Sequence, residues 1–254
     1  MYAPATKTLF LGKTLDYLPS CHSTNDLASE AIRAGGALEG AVFITDFQTA
    51  GRGQHGSSWE SRPGENFTLS LLLKPTFLTL SRQFALSQAI ALGVRDYLAS
   101  YLPDVSIKWP NDLYLTNKKM GGILIENKLQ GSRIQHAVVG IGLNINQTTF
   151  GDLRASSLAL STGRRFDLAE ELPKLLLAIE PFYLRLRAGD TDFIQQQYLG
   201  YLVGLYQKRQ YTIGNKRVEA ILIGISPEGW LRLKLCADHH IREYAPKEVS
   251  WCWD

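Results

Sequence analysis

One short loop combines glycines with an arginine between two apolar runs, 41–47 and 67–73: Gly51-Arg52-Gly53-Gln54-His55-Gly56. Closely spaced glycines let a backbone fold tightly around a small anion. The forked guanidinium group of an arginine is suited to binding a phosphate or a carboxylate. Glycine-rich hairpin loops without a ligand are also common, so the loop indicates an anion site only together with other residues.

Three further polar groups stand where predicted strands or helices begin or end: Ser23-Thr24-Asn25, Lys108-Trp109-Pro110-Asn111-Asp112 and Lys118–Glu126. Hydroxyl and amide groups at a helix N-terminus either cap the helix or bind a ligand. Paired glycines within a strand, as at Gly121-Gly122, indicate close approach of a ligand or another backbone, and Lys119 would face that ligand. Each group also has a structural explanation, as a cap, a turn or a solvated lysine.

The composition limits the class of protein. The 254 residues fit one large domain or a main domain with a smaller one, and the net charge of +3 without a basic stripe does not indicate nucleic-acid binding. Three widely spaced cysteines argue against a disulfide framework or a zinc site and suit a reducing cytoplasm. We see neither a signal peptide nor an apolar stretch of membrane-spanning length, so no membrane partner is expected.

The apolar periodicity predicts an α+β fold followed by a small all-β unit. Helices are predicted from Ser23 to Gly35, with Ser23 and Asp26 as a capping box, and at 84–102 and 168–186. Strands are predicted at 15–18, 41–47, 67–73, 105–109, 112–115, 120–126 and 134–143, then at 206–212, 218–226, 230–235 and 241–244. From about Gly204 the chain consists of short predicted strands separated by turns. We therefore divide it into a larger domain at 1–203 and a small β domain at 204–254.

Taken together and in this order, the polar groups resemble those of the biotin protein ligases. The resemblance covers roughly the first two thirds of the chain and rests on the segments 23–26, 45–54, 107–113, 119–126 and 140–144. It implies a mixed sheet with helices, related to class II aminoacyl-tRNA synthetases and lipoate ligases, followed by an SH3-like β-barrel.

The resemblance also implies a reaction. In this family the carboxylate of biotin attacks the α-phosphate of ATP, which gives biotinyl-5′-AMP and pyrophosphate, and the ε-amine of a carrier lysine then attacks the acyl-adenylate. Negative charge on the phosphate needs positive donors, and Mg2+ neutralises the rest. We expect no metal ligands from protein side chains. The expected partner is the biotin carboxyl carrier protein domain of acetyl-CoA carboxylase or a related enzyme.

By resemblance, the expected catalytic residues are Lys119, Arg52 and Asp112. Lys119 is expected to bridge the biotin carboxylate and the α-phosphate, and Arg52 to form part of a lid. The residues expected to bind biotin are Ser23, Thr24, Asn25, Gln48, Gly51, Arg52, Gly53, Lys119 and Gly122. The residues expected to bind ATP or the adenylate are Arg52, Gln54, Trp59, Asn111, Lys119, Gly142 and Asn144.

Two departures from the family pattern stand out. Many members have an arginine at the position of Gln54, whose amide carries no charge, so we expect a weaker hold on the adenylate. Some members carry a winged helix-turn-helix that makes them repressors, and the twenty-two residues before Ser23 are too few for one, so we expect a monofunctional ligase.

Two alternatives stay open. A lipoate or octanoate ligase or transferase has a related fold and a lysine in a comparable position, although the 108–112 segment favours biotin. A non-enzymatic biotin sensor or repressor would keep the pocket without turnover, but Lys119 and Arg52 argue against it. The strands near the sheet edge allow a homodimer, which the sequence does not decide.

Overall fold

A seven-stranded mixed sheet forms the main part of the molecule, for which a computed structural model describes residues 2–36 and 38–252. Its strands lie in the order β1-β2-β3-β7-β6-β5-β4, with β1 parallel to β2 and the other neighbours antiparallel. Their bounds are β1 (Leu15–Cys21), β2 (Val42–Gln48), β3 (Phe67–Leu73), β4 (Val105–Lys108), β5 (Asp112–Leu115), β6 (Lys118–Gln130) and β7 (Arg133–Leu143).

Helices cover both faces of this sheet. Their bounds are α1 (Thr24–Arg33), α2 (Phe84–Ala99), α3 (Leu158–Thr162), α4 (Leu168–Arg187) and α5 (Thr191–Gly200). α2 and α4 pack together over the main core, which includes Val42 and Ile44, whereas α1 packs on the cluster that contains Phe43. Alternate residues of β2 therefore point to opposite faces of the sheet. Among the described residues, no helix combines the length and the apolarity needed to cross a membrane.

A second, antiparallel sheet follows in the C-terminal part of the described chain. Its strands are β8 (Lys208–Ile213), β9 (Lys216–Ile225), β10 (Leu231–Leu235), β11 (Ile241–Tyr244) and β12 (Val249–Trp251), in the order β11-β10-β9-β8-β12. Segment 201–203 runs along β4 just before this sheet begins. The N–H of Ile107 donates to Tyr201 O at 2.8 Å, and the N–H of Val203 donates to Ile107 O at 2.9 Å.

The structure confirms the α+β class and the mixed sheet. β3, β5 and β11 begin and end at the predicted residues, whereas β6 extends to both sides of the predicted 120–126. The sequence pattern does not predict α3, α5 or β12. α3 and β12 are shorter than a detectable periodic pattern, and α5 buries only Ile194 and Tyr198.

A buried carboxylate fastens the N-terminal segment to α4. Glu180 is 4% exposed, and its oxygens accept hydrogen bonds from the N–H groups of Leu9, Phe10 and Leu11 at 2.6, 2.8 and 2.9 Å. Hydrogen bonds to an ionised carboxylate are stronger than those between neutral groups. Glu180 therefore orders residues 9–11 against the helix.

We expect Glu180→Ala to lower the free energy of unfolding by about 2–4 kcal/mol, because three backbone donors lose their acceptor. Urea unfolding followed by circular dichroism measures the change. Glu170→Ala, at an exposed position of the same helix, is the control and should cost less than about 1 kcal/mol. Equal losses in the two variants would contradict the role assigned to Glu180.

Candidate active site

The floor of the candidate site is a patch of bare backbone on β6 and β7. Gly122 lies opposite Gly142, and Gly140 stands two residues earlier on β7. A Cβ atom at Gly140 would lie 2.6 Å from Asn25 Oδ1, and one at Gly142 would collide with the ring of Trp59. Only glycine therefore lets these two side chains approach the sheet so closely.

A polar network at the start of α1 forms one wall. Gln48 Oε1 accepts hydrogen bonds from the N–H and the hydroxyl of Thr24 at 2.8 and 3.2 Å. Ser70 Oγ lies 2.7 Å from Thr24 Oγ1 and 2.6 Å from Asn25 Oδ1, and Asn25 Nδ2 donates to Glu126 Oε2 at 2.7 Å. The network fixes amide and hydroxyl groups of α1, β2, β3 and β6 around one small volume.

The predicted capping box at α1 is wrong. Ser23 is the N-cap residue of the helix, but its side chain makes no capping hydrogen bond. Ser23 lines the cavity instead. Because its hydroxyl does not cap the helix, the group is available to a bound ligand.

The glycine loop, residues 51–59, closes over the floor. Trp59 N–H donates to Gly51 O at 3.0 Å, and Gly53 N–H donates to Ser57 O at 2.7 Å. Arg52 binds both carboxylate oxygens of Asp26 at 2.8 and 2.7 Å, and its guanidinium lies 3.5 Å from Glu126. The arginine thus joins the loop to α1 and β6.

Electrostatics favours this contact at neutral pH. The hydrogen bond from Arg52 lowers the pKa of Asp26, which burial opposes, and it raises the pKa of Arg52 itself. Because the pKa of Asp26 is depressed in the folded chain, the contact is complete above the ordinary range of an aspartate. It is lost only as the pH falls through the lowered value.

A lysine and a carboxylate lie at the other end of the cavity. Lys119 Nζ lies 2.7 Å from Asp112 Oδ1, and Asn111 Nδ2 donates to Ile123 O at 2.6 Å. Lys108 is the register partner of Asp112 in the β4–β5 hairpin, but it lines a separate cavity beside Trp109 and Pro110. Burial lowers the pKa of Lys108, and Lys119 acts in the same direction while Asp112 opposes it. The ammonium group of Lys119 in the cavity suits a phosphate or a carboxylate of a ligand.

The site consists of two cavities that meet at Trp59 and Lys119. The first has a volume of 170 Å³, below the roughly 300–1,000 Å³ typical of ligand sites. The second has a volume of 710 Å³ and is also lined by Asn144, Phe150 and Arg154. Because the ring of Trp59 lies directly over Gly142, a shift of the glycine loop would enlarge the first cavity.

The structure brings the predicted site residues together. The first cavity is lined by Ser23, Thr24, Asn25, Gln48, Arg52, Gly53, Gln54, Trp59, Asn111, Asp112, Lys119, Gly122 and Gly142. Asn144 lines the second, and its Nδ2 donates to Lys119 O and Ser156 O at 3.3 and 3.0 Å. Gly51 supports the loop through its contact with Trp59.

Sequence reasoning missed several residues of the site. Asp26 and Glu126 bind Arg52, and Phe150 and Arg154 line the second cavity. Ser70 left a signal in the sequence, because a hydroxyl in the middle of the apolar run 67–73 indicates a polar surface on a buried strand.

Comparison with known proteins gives consistent matches. The profile of the biotin/lipoate A/B protein ligase family matches residues 17–144. The chain is 32% identical over 234 residues to the bifunctional ligase/repressor BirA of Bacillus spizizenii, covering 90% of this chain and 71% of the relative. It is 36% identical over 223 residues to the biotin–[acetyl-CoA-carboxylase] ligase of Paracoccus denitrificans, covering 83% of this chain and 91% of the relative.

Among solved structures, the biotin protein ligase of Aquifex aeolicus in complex with biotin and ATP matches with a TM-score of 0.78. The identity is 27%, and the match covers 94% of this chain and 98% of that one.

Loss of the Asp26 carboxylate should loosen the glycine loop. In Asp26→Asn we expect the amides of Gly53 and Trp59 to exchange hydrogen roughly two- to fivefold faster at pH 7, as an exposed ion pair contributes about 0.2–1 kcal/mol. Hydrogen–deuterium exchange with mass spectrometry measures this. Glu30→Gln, which removes an exposed acid of the same helix, is the matched control. Unchanged exchange in Asp26→Asn would mean that the ion pair does not hold the loop.

Proposed function

Because the chain belongs to the biotin/lipoate A/B protein ligase family, we propose that it is a biotin protein ligase. It activates biotin with ATP as biotinyl-5′-AMP and transfers the biotinyl group to a lysine of a biotin carboxyl carrier protein. The position of Lys119 is the main support for this function. Lys119, paired with Asp112, stands where a polar cavity on a glycine floor meets a larger second cavity.

Biotin would lie in the first cavity. The ureido ring of biotin has one carbonyl acceptor and two N–H donors, and the wall offers the hydroxyls of Ser23 and Thr24 and the amide of Gln48. The hydroxyl of Ser23, which does not cap α1, would bind the ring. The valeryl chain would then cross the bare floor at Gly142, and its carboxylate would reach Lys119.

The nucleotide would occupy the second cavity, with its α-phosphate near Lys119. As the carboxylate attacks the phosphorus, negative charge grows on the phosphate oxygens and is stabilised by the ammonium group of Lys119. Trp59 and Asn144 line this cavity, which supports a role of both residues in binding the adenylate. Magnesium would enter with the phosphates of ATP and neutralise their remaining charge.

Transfer forms an amide at the acyl carbon. The ε-amine of the carrier lysine attacks that carbon, the bond to the phosphate oxygen breaks, and AMP leaves. The amine loses a proton in this step, and Asp112 is the carboxylate at that end of the cavity. Arg52 serves the reaction by holding the glycine loop closed through Asp26 and Glu126, which excludes water from the adenylate.

We also propose that the chain is organised in two domains. Residues 1–203 form the catalytic domain, and residues 204–254 form an SH3-like barrel, which the five antiparallel strands of the second sheet support. The partner is a biotin carboxyl carrier protein domain, without nucleic acid or membrane. The free cysteines fit a cytoplasmic location, and homodimer formation stays a prediction.

Isotope exchange between pyrophosphate and ATP tests the function. We expect exchange that requires both biotin and magnesium and that does not occur with lipoate. Equal exchange with lipoate would make the chain a lipoate ligase. Biotin binding without any exchange would make it a sensor.

Lys119→Ala should slow adenylate formation by about a hundred- to a thousandfold, because a fixed donor at the developing charge is lost. Single-turnover rates give the effect, and circular dichroism checks the fold. Lys118→Ala removes the neighbouring exposed lysine and is the matched control, with an expected rate close to that of the unmodified protein. A near-normal rate in Lys119→Ala would mean that Lys119 has no role in adenylate formation.

A further inference from the structure

The connection between β4 and β5, residues 109–111, is hydrogen-bonded to the C-terminal sheet. Trp109 is 3% exposed, and its Nε1–H donates to the carbonyl oxygen of Gly229 at 2.8 Å. Gly229 belongs to the turn 226–230, which joins β9 to β10. A single buried hydrogen bond therefore links the second sheet to a residue only three positions before Asp112.

The turn 226–230 is itself rigid at this point. Gly229 N–H donates to Ser226 O at 2.9 Å, and Trp230 N–H donates to Ser226 Oγ at 3.2 Å. Gly229 has φ +94°, and a Cβ atom there would collide with the ring of Phe84 at the start of α2. The turn therefore packs closely against the start of α2, and the carbonyl oxygen of Gly229 is held facing Trp109.

The rest of the connection is held as firmly. The hydroxyl of Tyr198, a fully buried residue on α5, donates to Pro110 O at 3.2 Å. Asn111 makes two hydrogen bonds to Ile123 of β6. Its Nδ2 donates to Ile123 O at 2.6 Å, and its carbonyl oxygen accepts from Ile123 N–H at 3.0 Å. Each of the three residues before Asp112 therefore has one fixed partner outside the β4–β5 hairpin.

We infer that the turn 226–230 is a positioning element of the active site and that it acts through Trp109. The inference rests on the proposed function. Asp112 holds Lys119 at 2.7 Å, so any drift of the 109–111 connection moves both the carboxylate and the lysine. Thr24 and Gln48, which would bind the biotin ring, are joined to each other and stay in place. Loss of the tie should therefore lower the rate of the reaction far more than the affinity for biotin, because the contacts to the biotin ring are kept.

Trp109→Phe removes the donor and keeps an aromatic ring. In biotin-dependent pyrophosphate exchange we expect kcat to fall roughly tenfold, since displacements of about 1 Å can cost up to a hundredfold. KM for biotin should change by less than about twofold, because the contacts to the biotin ring are kept. Tyr206→Phe removes a hydrogen-bonding group from an exposed aromatic ring outside the turn and should behave like the unmodified protein. Thermal unfolding confirms that each variant is folded.

Ser226→Ala provides a second route if Trp109→Phe does not fold. It removes the acceptor of Trp230 N–H and loosens the turn without a change in the catalytic part of the chain. A smaller fall in kcat at unchanged KM supports the inference. A folded Trp109→Phe, or failing that Ser226→Ala, with unchanged kcat or with a raised KM alone overturns it. If the unmodified protein shows no biotin-dependent exchange, the proposed function fails instead.

Discussion

The site depends on the close approach of side chains to a strip of bare backbone. Gly121, Gly122, Gly140 and Gly142 lie together on β6 and β7, and a Cβ atom at any of them would meet a neighbour within van der Waals contact. Such overpacking typically costs about 1–3 kcal/mol. The strip weakens the strands, because glycine has low strand propensity, and the hydrogen bonds to both neighbouring strands offset that loss.

Most of what surrounds the strip comes from distant parts of the chain. α1 supplies Thr24 and Asn25, and the glycine loop supplies Arg52 and Trp59, whereas Lys119 lies on β6 itself. Nearly every polar group there is already satisfied by another, as buried polar networks require. One exception is informative: among the buried polar atoms of the described residues, Trp59 Nε1 has no partner. This group borders the volume in which biotin and its adenylate are proposed to bind.

Much of this could be predicted from the sequence. Local signals, such as the apolar run 67–73 and the paired glycines 121–122, are strong. They indicate a buried strand and the floor of the site. Contacts between distant segments leave weaker signals. Nothing in the type of Asp26 separates a partner of Arg52 from a helix-capping acid, and Ser23, which lines the cavity, matches a capping residue equally well. The tie between Trp109 and Gly229 depends on how two sheets dock, which no local pattern encodes.

Lys119 is proposed to lie between the carboxylate of biotin and the α-phosphate of ATP. A crystal structure with biotin and a non-hydrolysable ATP analogue shows whether it does. We expect biotin on the glycine floor, the nucleotide in the second cavity, and Lys119 Nζ within hydrogen-bond distance of both the carboxylate and the α-phosphate. If both ligands are bound and Lys119 is still paired only with Asp112, out of reach of either ligand, the proposed role of Lys119 is wrong.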